Sequence, residues 1–353
     1  MRSGRILIAA TQVPFTWGGA EWHVEALHRE LLARGFEAEV AQLPFQWTPR
    51  SAVLRSALAW RLLDLTESNG VPIDLVIGTR FPSYVVRHPN KVVWLFHQFR
   101  PAYDLHESGV DGFAPSEEDV RQHVIELDTQ SLMECRQIYT TSLNNARRLE
   151  RFNGLTADVL RLPLLDPETW RCDAYEPFVL SAGRLEVLKR PELLVRAAQH
   201  MPEGLRVVIV GRGPLEAQLK GLAERLGVGG RVGVGGRVEF RGHVSEDELK
   251  RLYATCGAVF YAPYDEDYGL VTLEAFHCRK PVVTSTDAGG PLEFVRHGET
   301  GLVSQPEPEA IAKCIVTLLE DPSLAQEMGR RGHETVRHIG WDEVIDRLTS
   351  TLG

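Results

Sequence analysis

The sequence predicts an α/β protein built from two parallel-sheet domains, and three observations support this class. Short apolar runs alternate with amphipathic helical stretches from end to end, which is the pattern of doubly wound α/β domains. The pattern breaks at residues 163–177, which contain three prolines, and then restarts. The length of 353 residues also suits two domains, at roughly 150 residues each.

The first half of the chain carries six strand candidates with helical patterns between several of them. The strands are predicted at residues 5–10, 37–42, 74–79, 91–97, 137–141 and 158–162. The helices are predicted at 20–34, 50–67, 117–134 and 143–152. These elements make up a first domain over 1–165, followed by a predicted linker at 166–177.

The second half repeats the alternation and then ends in helices. Its strands are predicted at residues 178–181, 206–211, 238–241, 258–262 and 281–286, with a short one at 302–303. The helices at the end are predicted at 307–320, 322–338 and 341–352. This predicts a second domain over 178–338 and a C-terminal helix over 339–353. The perfect duplication GVGGRV at 227–232 and 233–238 is interpreted as a lengthened surface loop.

Charge and cysteine content exclude several classes of protein. The chain carries 39 Lys and Arg against 48 Asp and Glu, a net charge of −9, which disfavours a nucleic-acid partner. The five cysteines form no C-x-x-C pair, which favours a reducing compartment. No apolar segment reaches the roughly 18 residues that span a bilayer. We therefore expect a cytoplasmic protein. The basic edge of the helix predicted at 50–67 allows at most a peripheral contact with the inner face of the membrane.

The strongest chemical signal is the segment DEDYGLVTLEAF. Glu266 lies in a loop, Gly269 opens a helix, and Glu274 falls inside that helix. Free N–H groups at the helix start, near Leu270 and Val271, form a typical anion site. Two carboxylates beside an anion site suit a nucleotide sugar, which has hydroxyls at both ends and a diphosphate between them. The plain alternative is a solvated acidic loop and an ordinary helix glutamate.

A second segment, AGRLEVLKRPELL, places two cations after the first strand of the second domain. Arg184 and Lys189 would lie at the carboxyl end of that strand, where they suit the charge of a diphosphate. Taken alone, they would be interpreted as surface charges. Because they occur together with the carboxylate pair, the sequence favours a diphosphate site.

With these segments the chain resembles the retaining glycosyltransferases of family four. The matching pieces, in the order of the family, are GGAE at 18–21, GRLEVLKRPELL, VVIVGRGP, VEFRGHV, EDYGLVTLEA and DAGGPLEFVRHGETGLV. The resemblance covers essentially the whole chain and implies the GT-B fold, two Rossmann-like domains facing each other across a cleft. It also implies that the C-terminal helix packs back on the first domain. No G-x-G-x-x-G follows the first strand, which disfavours a nicotinamide dehydrogenase.

The resemblance implies a role for each residue of the donor site. Arg184 and Lys189 would bind the donor diphosphate, Glu266 would hold hydroxyls of the transferred sugar, and Glu274 would hold the ribose. The remaining donor-binding residues are predicted to be Gly18, Gly19, Gly242, His243, Val244, Tyr268, Gly269, Leu270 and Val271. The resemblance implies no metal ion and no cofactor.

The resemblance also implies an acceptor side in the first domain. His97 ends the apolar strand KVVWLFH and would contact the transferred sugar, so that the predicted catalytic set is His97, Arg184, Lys189 and Glu266. Without the family, His97 would be interpreted as a hydrogen-bonded residue at a strand end. The residues predicted to line the acceptor side are Gln98, Arg100, Tyr103, Asp104 and Arg148.

The resemblance therefore implies a retaining, metal-independent glycosyltransferase. It would use a nucleoside diphosphate sugar, with UDP favoured over GDP, and a carbohydrate-containing or lipid-linked acceptor in polysaccharide, glycoconjugate or glycosylated natural-product synthesis. Two alternatives stay open at this point: a nucleotide-sugar epimerase of the same fold, and a non-catalytic nucleotide-sugar-binding protein.

Overall fold

The computed structural model describes residues 4–16, 18–230 and 236–352. The chain divides into two compact units: unit 1 comprises Met1–Pro163 and Ile339–Gly353, and unit 2 comprises Leu164–His338. Residues 231–235, at the centre of the GVGGRV duplication, lie outside the described residues.

Unit 1 contains a parallel sheet of six strands and a small hairpin. The strands are β1 (Arg5–Gln12), β2 (Glu37–Pro44), β3 (Glu67–Ser68), β4 (Val71–Pro72), β5 (Leu75–Gly78), β6 (Lys91–Leu95), β7 (Gln137–Thr140) and β8 (Asp158–Val159). The order in the sheet is β2-β1-β5-β6-β7-β8, and each neighbouring pair is parallel. The central strands β5 and β6 are buried over their whole length, as expected for a parallel sheet covered on both faces.

Helices of unit 1 pack on this sheet through large apolar side chains. They are α1 (Gly19–Ala33), α2 (Ala52–Leu62), α3 (Asp104–Ser108), α4 (Glu118–Met133) and α5 (Leu143–Asn153). Trp60 from α2 and Leu132 from α4 are fully buried in one cluster with Val76 and Leu95 of the sheet. These side chains of α2 and α4 thus form one hydrophobic cluster with the buried strands.

Unit 2 contains a second parallel sheet with a different strand order. Its strands are β9 (Glu176–Ala182), β10 (Arg206–Val210), β11 (Val238–Gly242), β12 (Cys256–Phe260), β13 (Val282–Ser285) and β14 (Gly301–Ser304). The order is β11-β10-β9-β12-β13-β14, again with parallel neighbours. Counted from β9, this is the 3-2-1-4-5-6 order of a doubly wound nucleotide-binding domain.

Helices follow the strands of unit 2 and bury a core against them. They are α6 (Pro191–Ala197), α7 (Glu216–Arg225), α8 (Glu246–Thr255), α9 (Leu270–His277), α10 (Pro308–Glu320) and α11 (Pro322–Val336). Leu194 of α6, Leu219 of α7 and Ile315 of α10 pack with Val207 and Phe260 of the sheet.

The last helix, α12 (Trp341–Leu348), belongs to unit 1 although the chain reaches it from unit 2. The Trp341 ring lies edge-on to Trp94 of β6, with 6.1 Å between the ring centroids. Arg347 pairs with Asp158 at 2.7 Å, and Tyr139 donates a hydrogen bond to the backbone oxygen of Arg347. These contacts join α12 to β6, β7 and β8.

The predicted fold class, α/β with two Rossmann-like parallel-sheet domains, is confirmed, whereas the predicted helix at 50–67 is too long. α2 ends at Leu62, because the Asp64 carboxylate accepts hydrogen bonds from the N–H and hydroxyl of Thr66 and turns the chain. Asn69 and Gly70 then adopt positive φ and close the β3–β4 hairpin.

Among the helices of the described residues, none combines the length and the apolar character that crossing a membrane would need.

Candidate active site

The candidate site in unit 2 lies where the strand order reverses, between β9 and β12. Ligands of doubly wound sheets bind outside the carboxyl ends of the strands at this point. The segment after β9 carries Arg184 and Lys189, and the segment after β12 carries Glu266. The fold therefore brings the predicted cations and the first predicted carboxylate to one edge of the sheet.

Lys189, Glu266 and Tyr261 form a compact polar cluster at this edge. The Lys189 ammonium forms an ion pair with Oε2 of Glu266 and donates to the Tyr261 hydroxyl at 3.3 Å. The Tyr261 hydroxyl donates to the same Oε2 atom at 2.9 Å. Tyr261 is only 7 % exposed, so this cluster is formed in a partly desolvated place where charge interactions are strong.

The cluster keeps Lys189 charged. Burial alone would lower the pKa of Lys189, but the charge and hydrogen bond of Glu266, with Tyr261 beside it, hold the pKa above its ordinary value. The pKa of Tyr261 is also raised, first by burial and then by the charge of Glu266. Lys189 is therefore an ammonium ion, and Tyr261 a neutral phenol, throughout the physiological pH range.

Arg190 fixes the turn Val187–Lys189 to the ends of two strands. Its guanidinium donates to the backbone oxygens of Ala262 and Pro263 at 3.0 and 2.8 Å, and to the hydroxyl of Ser285 at 2.8 Å. It also makes a two-pronged ion pair with Asp287, at 2.7 and 2.8 Å. Arg190 adopts a φ of +48°, a conformation that costs a non-glycine residue about 1 kcal/mol. The hydrogen bonds offset that strain.

The loop around Asp287 also holds the backbone of Glu266. The N–H of Glu266 donates to the backbone oxygen of Ala288 at 2.9 Å, and the N–H of Gly290 donates to the oxygen of Glu266 at 2.8 Å. The pKa of Asp287 is lowered: burial would raise it, but the hydrogen bonds from Arg190 and Ser285 and the charge of Arg190 outweigh burial. Both ends of the Lys189–Glu266 pair thus depend on one loop.

Gly269 opens α9 beside this cluster, at a φ of +86°. A Cβ atom at this position would lie 2.9 Å from both Pro291 and the Tyr261 ring, so glycine is required here for conformation and for space. Glycine has no side chain with which to cap the first N–H groups, those of Leu270 and Val271. Binding of an anion by these two N–H groups stays a prediction.

Tyr268, directly before Gly269, is buried. Its side chain is 5 % exposed and lies edge-on to the Phe294 ring, at 5.5 Å between centroids. Because its aromatic ring is used in packing, Tyr268 supports the start of α9, and its place among the donor-binding residues stays a prediction.

Glu274 lies one turn further along α9 and is paired with a residue that the sequence analysis did not select. The hydroxyl of Tyr253, from α8, donates to Oε2 of Glu274 at 2.6 Å. Burial raises the pKa of Glu274, and this hydrogen bond opposes the rise.

The remaining residues of unit 2 that are predicted to bind the donor lie at or near the surface. Arg184 is half-exposed and forms a 3.3 Å ion pair with Glu186. Gly242 ends β11 at a φ of +64°, and its backbone oxygen accepts a 2.7 Å hydrogen bond from Gly211. His243 is exposed and Val244 is partly buried. The structure thus ties the end of β11 to the end of β10 and leaves Arg184 near the solvent.

In unit 1, His97 follows β6 and is partly buried. Nδ1 of His97 lies 2.9 Å from the backbone oxygen of Gln98. Asn145, on α5, donates to the backbone oxygens of Leu95 and Phe96 at 3.0 and 3.2 Å. This amide therefore fixes the end of β6, directly before His97.

The glycine pair of unit 1 lies at the start of α1. The N–H of Gly18 donates to Oε2 of Glu21 at 2.9 Å, and Oε1 of Glu21 pairs with Arg80 at 2.6 Å. Arg80 also donates to the hydroxyl of Thr11 at 2.8 Å. Gly18 has an extended φ of −159°, and a Cβ atom would meet only Glu21, at 3.5 Å. The chain itself therefore does not require glycine at this position.

Two of the predicted acceptor-side residues are structural. Gln98 and Tyr103 are each 1 % exposed. The Gln98 amide donates to Asn153 at 2.6 Å, and the Tyr103 hydroxyl donates to the buried Asp128, whose pKa burial raises to about 6. Direct contact of these two side chains with an acceptor is corrected, because both are used inside unit 1.

The other three acceptor-side residues form a charged cluster. Arg100 makes hydrogen bonds of 2.9 and 2.6 Å to one oxygen of Asp104, and Arg148 lies 3.5 Å from the other oxygen. All three side chains are largely buried. Two guanidinium groups thus face one carboxylate here.

The structure thus brings Lys189, Glu266 and the start of α9 together in unit 2, and it places Gly18 and His97 in unit 1. Sequence reasoning missed Tyr253, Tyr261, Arg190 and Asp287. Asp287 had a signal, since it begins the quoted DAGG motif, and Arg190 directly follows Lys189. No sequence signal selects Tyr253 and Tyr261, because their roles depend on which carboxylate each hydroxyl reaches in the folded chain.

Comparisons with known proteins find a matching family model, similar sequences and similar structures. A family model described as glycosyl transferases group 1 matches residues 167–335. D-inositol 3-phosphate glycosyltransferase of Xylanimonas cellulosilytica is 34 % identical over 172 residues, which are 47 % of this chain and 40 % of that protein. The chain thus matches less than half the length of this relative, and the same holds for the corresponding enzymes of two Streptomyces species.

Two further proteins match over most of the chain. D-rhamnosyltransferase WbpZ of Pseudomonas aeruginosa is 26 % identical over 333 residues, 93 % of this chain and 79 % of that protein. The structure of Anabaena Alr3699/HepE, solved in complex with UDP and glucose, has a TM-score of 0.71 and 19 % identity, and the match covers 99 % of both chains. Residues 167–335 are therefore similar to the group 1 glycosyl transferases, and the chain has the α/β architecture of the GT-B fold.

Proposed function

We propose that this protein transfers a glycosyl group from a nucleoside diphosphate sugar, UDP-sugar in preference to GDP-sugar, to an acceptor hydroxyl with retention of configuration. The observation that carries the proposal is the cluster of Lys189, Glu266 and Tyr261 at the strand-order reversal of unit 2. A fixed cation beside a fixed carboxylate suits a ligand with a diphosphate and a sugar next to each other.

The diphosphate is assigned to the cations and to the start of α9. Lys189 and Arg184 supply two positive charges, and the N–H groups of Leu270 and Val271 supply donors. The raised pKa of Lys189 keeps its charge in place while negative charge develops on the leaving diphosphate. In this proposal these groups take the place of a metal ion.

The carboxylates are assigned to hydroxyl groups. Glu266 binds hydroxyls of the transferred sugar, and its pairing with Lys189 and Tyr261 fixes the direction of its carboxylate. Glu274 binds the ribose, and the segment Gly242, His243 and Val244 meets the base through backbone groups. The Tyr261 hydroxyl adds a neutral donor that holds Glu266 without adding charge.

From unit 1, Gly18 and Gly19 are assigned to the diphosphate and His97 to a hydroxyl of the transferred sugar. Since the chain itself does not require glycine at 18, close approach of a ligand is a sufficient reason for it. Arg100, Asp104 and Arg148 are assigned to a carbohydrate-containing or lipid-linked acceptor, while Gln98 and Tyr103 support their loop from inside. The cytoplasmic location and the peripheral membrane contact stay predictions.

In the proposed reaction the acceptor oxygen forms a bond to the anomeric carbon on the face that the diphosphate leaves. The bond between the anomeric carbon and the diphosphate oxygen breaks, and that oxygen receives the proton of the acceptor hydroxyl. Lys189, Arg184 and the start of α9 stabilise the charge on the departing diphosphate. No covalent intermediate is needed, and Glu266 positions the sugar.

The test is a panel of UDP- and GDP-sugars with carbohydrate and lipid-linked acceptors, in buffer containing EDTA. We expect transfer with a UDP-sugar, unaffected by EDTA, and a product whose anomeric proton has the configuration of the donor in NMR spectra. UDP at about 100 times its Kd should raise the free energy of unfolding by roughly 2.7 kcal/mol.

Three outcomes would contradict the proposal. Formation of ManNAc from UDP-GlcNAc without any acceptor would indicate an epimerase. Nucleotide binding without hydrolysis or transfer across the panel would indicate a binding protein. Larger stabilisation by GDP than by UDP would overturn the donor assignment.

A further inference from the structure

The hydroxyl of Tyr253 is placed where packing does not need it. Tyr253 lies in the last turn of α8, is fully buried, and contacts the Trp170 ring edge-on at 5.4 Å between centroids. A phenylalanine would fill the same space and bury no polar atom. A buried hydroxyl must find a hydrogen-bond partner, and the partner of this one is Oε2 of Glu274, at 2.6 Å.

The contact matters for Glu274 because this carboxylate has little else to hold it. Glu274 is partly buried on α9, and Tyr253 is its one hydrogen-bond partner in the part of the chain that the structure describes. The terminal torsion of a glutamate is broad, so an unheld carboxylate would rotate. With Oε2 bound, the plane of the carboxylate and the position of its other oxygen are defined.

We propose that Tyr253 is a positioning residue that holds the Glu274 carboxylate in the orientation that meets the ribose hydroxyls of the donor nucleotide. This inference rests on the proposed function, which assigns the ribose to Glu274. Tyr253 itself touches no ligand, since its side chain is fully buried. Its effect therefore passes through Glu274 and depends on the two ribose hydroxyls.

The test compares UDP with 2′,3′-dideoxy-UDP in the full-length protein by isothermal titration calorimetry. In the unchanged protein, UDP should bind more tightly by about tenfold or more, since the ribose hydroxyls bind a charged carboxylate. Tyr253→Phe should weaken UDP about fivefold and change dideoxy-UDP by less than about twofold. Glu274→Gln should likewise reduce the preference for UDP. A partly unfolded variant would lower the number of sites for both ligands without changing the ratio of their Kd values.

A pH series gives a second readout. The hydrogen bond from Tyr253 opposes the rise that burial causes in the pKa of Glu274, so its removal raises that pKa further. As the pH falls, Tyr253→Phe should lose its remaining preference for UDP at a higher pH than the unchanged protein does. A residue that only fills space would leave this pH dependence unchanged.

Tyr84→Phe is the matched control. The Tyr84 hydroxyl is also buried and donates to a carboxylate at 2.6 Å, that of Asp128, but it lies in unit 1. Tyr84→Phe should leave the preference for UDP over dideoxy-UDP unchanged. If Glu274→Gln abolishes the preference and Tyr253→Phe keeps it in full, the inference is overturned while the proposed function stands. If the unchanged protein binds neither UDP nor GDP, or Glu274→Gln keeps the preference, the assignment of Glu274 is overturned as well.

Discussion

At the residue scale, the position of Lys189 depends on the side chains around it, and two of these, Arg190 and Tyr261, have no assigned contact with a ligand. Arg190 joins the turn that carries Lys189 to the end of β12 and to Asp287. Tyr261 and Glu266 contact the ammonium group of Lys189. The strained φ of Arg190 is retained because five hydrogen bonds depend on this one side chain.

The ion pair of Arg190 and Asp287 should show strong coupling in a double-mutant cycle. Arg190→Ala and Asp287→Ala each remove the whole two-pronged contact, so the double variant should be more stable than additivity predicts, by about 1 to 2 kcal/mol. Denaturant unfolding of the four proteins measures this. Arg206 and Glu176, an exposed pair at 3.5 Å in the same unit, serve as the control and should couple by less than about 1 kcal/mol. Equal coupling in both pairs would contradict the role assigned to Arg190.

His23 should make stability fall in mild acid. Burial lowers its folded-state pKa to about 3, against a hydrogen bond with the backbone of Gly19 that raises it. Above about pH 6.5 the His23 ring is neutral in both the folded and the unfolded chain. Below pH 6.5 the unfolded chain takes up a proton that the folded chain cannot, so stability falls by about 1.4 kcal/mol per pH unit down to about pH 3. His23→Phe should flatten the pH profile of unfolding by this amount, and an unchanged slope would contradict the burial argument.

The residues of the candidate site could be selected from the sequence because they follow apolar runs that predict strands. Parallel strands end at one edge of the sheet, so residues that follow them are expected to lie close together. The hydrogen-bond partners of these residues could not be predicted. Gln98 and Tyr103 also follow such a run, yet Asn153 and Asp128, far along the chain, bind them inside unit 1. A polar residue after a strand is thus ambiguous until the helices that cover the strand are placed.

At the element scale, the start of α9 is the part of the site most sensitive to shape. Gly269→Ala places a methyl group against the Tyr261 ring and Pro291, in addition to the strain of a positive φ. Gly204→Ala is the matched control, because Gly204 has a φ of +91° with nothing within 4 Å. Both should lose about 1 kcal/mol of stability through φ strain. Only Gly269→Ala should also lower kcat/KM, by about tenfold, because it displaces Tyr261. Equal kcat/KM in the two variants would contradict this.

The helix α12 should stabilise unit 1 and leave unit 2 unaffected. Trp341 is 9 % exposed and packs on Trp94, so Trp341→Ala should cost unit 1 about 3 kcal/mol. Hydrogen exchange should show faster opening of β6 and β7 and unchanged exchange in β9 and β10. Trp47→Ala, at a more exposed tryptophan of the same unit, should have little effect. Faster exchange in unit 2 would contradict the assignment of α12 to unit 1.

Most elements could be predicted because parallel strands and their helices differ in hydrophobic period. The exception is the segment 62–72, where a helix end and a hairpin were not predicted. The sequence does carry a local turn signal there, the Asn69-Gly70 pair that closes the β3–β4 hairpin, but hydrophobic periodicity does not detect it. The strand orders could not be derived from the apolar pattern alone. It was the order β11-β10-β9-β12 that located the candidate site between β9 and β12.

At the scale of the whole molecule, the chain consists of two parallel-sheet units with different strand orders and different charged clusters. Unit 2 holds the assigned donor cations and carboxylates, whereas unit 1 holds His97, the glycine pair and the cluster of Arg100, Asp104 and Arg148. The proposed reaction depends most on Lys189, which is assigned to stabilise the charge of the departing diphosphate.

The most direct test is the rate of sugar transfer by Lys189→Ala, compared with Lys220→Ala. Lys220 is half-exposed on α7 and pairs with Glu216 at 2.7 Å, so its loss controls for the removal of one positive charge from unit 2. Lys189→Ala should lower kcat/KM by about thirtyfold to a thousandfold, which corresponds to roughly 2 to 4 kcal/mol of transition-state stabilisation. Lys220→Ala should retain the full rate. A Lys189→Ala variant that is folded and transfers sugar at nearly the rate of the unchanged protein would contradict the role assigned to Lys189.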